Sequence, residues 1–208
     1  ALVGEVQGLD YLTFLASGFI CASAMNTASF EGTYSAFTRM TVQETWAAML
    51  FTPLNVNDIL FGEVFWGASK SLLSATLILV VAALMGAVAS WQALWVLPVA
   101  LLTGACFSAM ALVVTAVSRS YDFFLYYFTL LITPMLLFSG VFFPLDGMPV
   151  GVQQAADFLP LTHAIAVVRP LVTGHPVSDV ALHLGVLLLY GFTALAIASV
   201  LIRRYLHR

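Results

Sequence analysis

The chain has 208 residues, 62% hydrophobic and 8% charged, with a formal net charge of −3 and a mean hydropathy of +1.02. A soluble domain carries about a quarter charged residues, whereas here Lys+Arg 7 and Asp+Glu 10 fall between long uncharged runs. This composition excludes a water-soluble enzyme and a disordered chain, and the negative balance excludes a nucleic-acid binder.

A membrane-crossing helix needs about 20 mostly apolar residues. Runs at 11–30, 64–91, 92–118, 123–145 and 180–202 meet that length. They predict an all-α, polytopic membrane helix bundle, with residues 1–208 forming one transmembrane domain. Cys21 and Cys106 stand in separate runs and read as small buried hydrophobes.

Residues 31–63 read as a cytosolic segment. Thr41-Val42-Gln43-Glu44 has the capping-box pattern, in which Thr41 caps the amide of residue 44 and Glu44 reaches back. Trp46, Met49 and Leu50 follow at helical spacing, and Pro53 with residues 55–58 ends the element. A short amphipathic helix along the membrane surface is expected. Such a helix either anchors the spans it joins or receives a partner. Gln43, Glu44 and Thr45 give it a polar face, and Trp46 is an aromatic anchor of the kind enriched in interface hot spots.

Glu31 and Glu63 read as caps at the ends of this segment, and Lys70 as a side chain snorkelling to headgroups. Asp122 beside Arg119 reads as a solvated loop pair. Small residues four apart (Ala82/Gly86, Gly104/Ser108, Ala194/Ala198) would let helices approach closely.

Tyr121, Phe123, Phe124, Tyr126, Tyr127 and Phe128 crowd the start of the fourth run. They form either an aromatic belt at headgroup level or a lining on which sugar rings and acyl chains slide. Tyr126 and Tyr127 lie deeper and are the better candidates for a lining. The outer segment 142–179 is punctuated by Pro144, Gly147, Pro149, Pro160, Pro170, Gly174 and Pro176. It predicts two short re-entrant helices. Arg169, near His163, is either structural or meets an anionic headgroup.

Ser139 and His183 raise an intramembrane serine hydrolase, but Leu137 stands where the nucleophile motif has glycine. His163, His175 and His183 do not have metal spacing. No Gly-x-x-x-x-Gly-Lys-Ser/Thr occurs, so ATP, if it drives the protein, is bound by another chain.

With five alternating crossings, Arg39, Lys70, Arg119, Arg203, Arg204 and Arg208 share one side, and Arg169 lies opposite with Glu5, Asp10, Asp146, Asp157 and Asp179. The basic side is expected to be cytoplasmic. That puts Ala1 outside without a signal peptide, so a further span upstream, six in all, is expected.

Glu44-Thr45-Trp46-Ala47-Ala48-Met49-Leu50, Thr52-Pro53-Leu54, Asp58-Ile59-Leu60 and Gly62-Glu63 resemble the cytosolic coupling segment of type 2 ABC exporter permeases. Tyr121-Asp122-Phe123 through Pro134-Met135 to Phe138-Ser139-Gly140-Val141-Phe142-Phe143-Pro144 is similar to the family's fifth span. Leu159-Pro160-Leu161-Thr162-His163-Ala164, with Arg169 and Gly174, resembles its outer re-entrant region. Within the family the likeness is to nodulation-protein permeases that export lipochitin oligosaccharide.

The resemblance implies a multi-pass permease of the bacterial inner membrane. Two copies would pair with two separate ABC ATPase subunits, which bind ATP and Mg. It implies ATPase coupling through Thr41, Glu44, Thr45, Trp46, Met49, Leu50, Pro53, Leu54 and Asp58. Tyr126, Tyr127, Phe138, Phe142, Phe143 and Arg169 would lie along the path of a lipid-linked substrate. The alternative is an ion-coupled transporter or channel with Lys70 or Arg169 in its path and no ATPase.

Overall fold

The computed structural model describes residues 8–206. Arg208 and Glu5, used above for orientation, lie outside the described residues. Those residues fold as helices joined by short connections, with no strands among them.

Helix α1 runs unbroken from Tyr11 to Val42. It passes through two wider turns, Glu31–Ser35 and Thr38–Val42, with i→i+5 hydrogen bonds such as Gln43 N–H to Thr38 O at 2.9 Å. The first span is therefore longer than its apolar run, and most of the expected surface segment is absorbed into it. Glu44, at φ 51, turns the chain into α2 (Thr45–Leu50), and α3 spans Val56–Leu84.

The Thr41–Glu44 capping box does not form. Thr41 sits inside α1 and its hydroxyl donates to Phe37 O at 2.7 Å. The reciprocal bond appears instead at α3, where Asn55 N–H donates to Asp58 Oδ2 at 2.8 Å. Helix α3 thus starts well before the run at 64–91. It ends at Leu84, where Gly86 takes the left-handed φ of 77.

Helix α4 (Trp91–Val117) opens with a tight 3₁₀ turn capped by Ser90 and lies at the centre, packed against α1, α3 and the last helix. Helix α5 covers Asp122–Phe138. Residues 139–145 leave it, because Ser139 ends the helix and Gly140 adopts φ 81. Helices α6 (Val150–Ala156) and α7 (Pro160–Thr173) meet at 89°, and α8 covers Val180–Leu206.

Four helices, α1, α3, α4 and α8, are long and apolar enough to cross a membrane. At about 1.5 Å per residue, α5 reaches roughly 25 Å, near the short end of a span. It runs antiparallel to α1: Tyr121 stacks on Tyr34, Tyr127 O–H meets Ser29 Oγ at 3.3 Å, and Phe142 packs edge-on against Phe19. The bent α6–α7 pair starts and finishes at the end of the bundle that holds Arg169. That end is closed by Arg169 Nη2–H donating to Gly140 O at 2.7 Å and by Ala89 N–H donating to Val172 O at 3.0 Å.

Close helix packing uses small residues. Gly67 and Ser71 of α3 face Ser108 and Gly104 of α4, the pairs matched in antiparallel order.

Candidate functional site

At the bundle end opposite Arg169, α2 is held by one side chain. Trp46 is 1% exposed, and its indole N–H donates to Glu63 Oε1 of α3 at 3.0 Å. The expectation of Trp46 as an exposed docking anchor is corrected. Trp46 is the one residue of α2 that is buried, and its ring packs in one cluster with Phe37 and Met40 of α1 and Leu60 of α3.

The residues turned outward are those around and beyond the end of α2. Phe51 is 93% exposed, and Met49, Thr52, Pro53 and Leu54 are exposed with it. Glu44 is exposed, Thr45 and Leu50 are half-buried, and Asp58 is exposed at the start of α3. Thr41 is half-buried in α1. Sequence reasoning passed over Phe51 because it lies just past the periodic stretch.

Beneath α2 four charges meet. Glu31 and Arg39 come from α1, Glu63 and Lys70 from α3. Glu31 accepts from Arg39 Nη1 at 3.0 Å, Trp66 Nε1 at 3.0 Å, Lys70 Nζ at 2.7 Å and Ser35 Oγ at 3.1 Å. Glu63 accepts from Trp46 Nε1 and from Arg39 through both Nε, at 2.8 Å, and Nη2. Glu31 and Glu63 are therefore not caps, and Lys70 does not snorkel to headgroups. Arg39 and Glu63 line an open cleft of about 480 Å³ together with Met49, Leu54, Asp58 and Trp66.

The expected path residues do not form one surface. Tyr127 is 7% exposed and bonded to Ser29, so it belongs to the core, whereas its neighbour Tyr126 is 61% exposed. Successive helical residues point about 100° apart, so the two neighbours meet different surroundings. Phe138 lines an apolar cavity of about 420 Å³ between α5 and α6 with Leu130, Leu131, Val152 and Leu159. Phe143 is exposed, while Phe142 packs on Phe19.

Arg169 lies over the Phe14 ring at 3.8 Å and donates to Ser17 Oγ at 3.1 Å and to Gly140 O. His163 pairs with His183 (Nδ1 to Nδ1, 2.8 Å). The Ser139 hydroxyl is buried with no hydrogen-bond partner among the described residues. Ser139 therefore lacks the hydrogen-bonded base that a serine hydrolase would need. No group of three metal-ligating side chains occurs among the described residues.

Residues 3–173 match the family model described as ABC-2 type transporter. Nodulation protein J of Rhizobium leguminosarum bv. viciae is 47% identical over 207 residues, which is 100% of this chain and 80% of that protein. Nodulation protein J of Rhizobium meliloti is 42% identical over 205 residues, 99% of this chain and 78% of that protein. The inner membrane transport permease YadH of Escherichia coli is 25% identical over 166 residues, 79% and 64% of the two chains. No solved structure matches. An all-α bundle of membrane-spanning helices, matched by this model along most of its length, is a multi-pass permease subunit, and the chain belongs to the ABC-2 type transporter family.

Proposed function

We propose that this permease works as a pair of copies with two separate ABC ATPase subunits in the bacterial inner membrane. It moves an amphipathic, lipid-linked oligosaccharide outward. ATP and Mg are held by the partner, whose closure pushes on α2, and α1 and α3 move with it. The substrate enters sideways from the inner leaflet and leaves past α6 and α7.

The observation that carries this reading is the apolar tip of Met49, Phe51 and Leu54. It projects from a short helix whose one tryptophan is buried in the bundle. Apolar side chains gathered at one exposed tip mark a surface that a partner covers. The tip lies at the end of the bundle where α4 and α8 finish, α4 just before Arg119 and α8 with Arg203 and Arg204 in its last turn, the end that the distribution of positive charge assigns to the cytoplasm. The lipid-linked cargo is what the resemblance to nodulation-protein permeases implies, and the 47% identity with a nodulation protein J agrees with that resemblance. Lys70 and Arg169, which an ion-coupled mechanism would place in a path, are both committed to internal bonds.

Co-purification with the ABC ATPase subunit tests the reading. Phe51→Ala should weaken the complex by about tenfold or more, the loss typical of a hot-spot aromatic. Export of a fluorescent lipid-linked oligosaccharide should fall with it. Export that continues in cells lacking any ATPase partner would overturn the proposal.

A further inference from the structure

The docking tip explains α2 but not the four charges beneath it. Charged groups within membrane-spanning helices are expensive, and they persist where they are paired and have a use. Here two carboxylates face two cations, and three of the four carboxylate oxygens each accept two hydrogen bonds. Such a network is weak evidence for stability, because well-packed apolar side chains of similar size often do as well.

Its connectivity is more informative. Glu63 is the residue at which the bond from α2, through Trp46, meets the bond to α1, through Arg39. Arg39 continues to Glu31, and Glu31 returns to α3 at Lys70 and Trp66. Glu31 and Arg39 both stand in the wide-turn stretches of α1. Wide turns of that kind are rare inside α-helices and are found frequently at functional sites.

We infer that Glu63 is a positioning residue that transmits movement of α2 to α1 and α3 through the chain Trp46, Glu63, Arg39, Glu31 and Lys70. The inference rests on the proposed docking of an ATPase at the α2 tip. Displacing α2 pulls on the Trp46 indole. The pull reaches Arg39 through the shared carboxylate, and the register of α1 against α3 shifts with it.

The test uses the permease purified with its ABC ATPase subunit and reconstituted in vesicles of E. coli polar lipid. Cys21 and Cys106 are replaced by alanine, and Phe143→Cys, at an exposed position of the opposite end, reports on conformation. Its reaction with a membrane-impermeant maleimide is measured with and without ATP and vanadate. In the otherwise unchanged protein, nucleotide should alter the labelling rate. Glu63→Gln keeps an acceptor for Trp46 but removes the charge that holds Arg39. It should preserve ATP hydrolysis while the nucleotide effect on labelling shrinks by about fivefold or more, and Glu63→Asp should restore part of it.

If Glu63→Gln lowers Tm yet keeps the full nucleotide effect, Glu63 is only a staple and the inference is overturned. Should that variant fail to fold, Trp46→Phe decides, since it removes the indole N–H while leaving an aromatic ring in the site, and an unchanged nucleotide effect there overturns the inference equally. If the parent complex loses its ATPase subunit, or its labelling ignores nucleotide, the proposed function fails and this inference fails with it.

Discussion

Gly67 of α3 lies so close to Ser108 of α4 that a Cβ built on the glycine would fall 2.5 Å from the serine Oγ. One turn away the relation is reversed, and a Cβ on Gly104 would fall 2.6 Å from Ser71 Cβ and 3.0 Å from the Ala68 backbone. The two contacts predict an order of damage. Gly104→Ala meets atoms that cannot swing aside and should cost about 1–3 kcal/mol. Gly67→Ala should cost less, because the Ser108 hydroxyl has no hydrogen bond to lose by rotating. Gly62→Ala, on the same helix with open space around it, should be neutral or slightly stabilising. Thermal unfolding of the purified variants in detergent gives the order, and equal losses at Gly62 and Gly104 would contradict it.

Trp46 and Phe51 separate packing from exposure within one short segment. Trp46→Ala empties a filled site and should cost about 3–5 kcal/mol. Phe51→Ala removes a side chain that touches little and should stay within about 0.5 kcal/mol. The same contrast should appear in chemistry. A cysteine replacing Phe51 should react readily with an impermeant maleimide in inverted vesicles, and one replacing Trp46 should stay protected. Labelling of the Phe51 position in intact cells would place α2 on the other side of the membrane.

The class of the protein and the order of its spans were legible because they rest on composition and run length, which are local. The prolines from Pro144 to Pro176 likewise marked a stretch that could not cross as one straight helix. The site was less legible. Read one at a time, Glu31, Glu63 and Lys70 look like a cap, a cap and a snorkelling cation. Their grouping depends on α1 continuing past its apolar run and α3 starting before its own. The available signal was a pair of opposite charges on each of two consecutive spans, Glu31 and Arg39 on α1 and Glu63 and Lys70 on α3. Trp46 was misread because a hydrophobic pattern over six residues does not say which apolar side chain faces the bundle. Tyr127 was misread because the rotation of α5 is set by its antiparallel packing on α1, through contacts nearly a hundred residues apart.

Arg169 ties three segments together: Phe14 and Ser17 of α1, Gly140 after α5, and its own helix α7. The planar guanidinium supplies two directed donors and a flat face for the ring, and an ammonium cannot reproduce all three. Arg169→Lys should therefore lower stability, by about 1.5–3 kcal/mol for hydrogen bonds to a charged group. Phe14→Leu, which removes only the ring face, should cost less than that. Thermal unfolding of both variants checks the ranking. If Arg169→Lys matches the parent protein in Tm while export falls, the arginine serves the transport path and not the joint.

His163 and His183 join α7 to α8 through a bond whose proton can be assigned by elimination. The Asp157 carbonyl can only accept, so His163 Nε2–H donates to it at 2.8 Å. A neutral imidazole has one donor and one acceptor, which leaves His163 Nδ1 as an acceptor and makes His183 Nδ1–H the donor. His183→Ala should strand that acceptor and cost about 1–3 kcal/mol. His183→Gln, which brings an amide N–H to the same region, should recover part of the loss. His163→Gln should do worse than His183→Gln, because one amide must then serve both the Asp157 carbonyl and the His183 N–H. Unfolding temperatures of the three variants, measured at a pH where the rings are neutral, test this order. Equal losses for His183→Ala and His183→Gln would mean that ring packing, and not the hydrogen bond, holds α7 to α8.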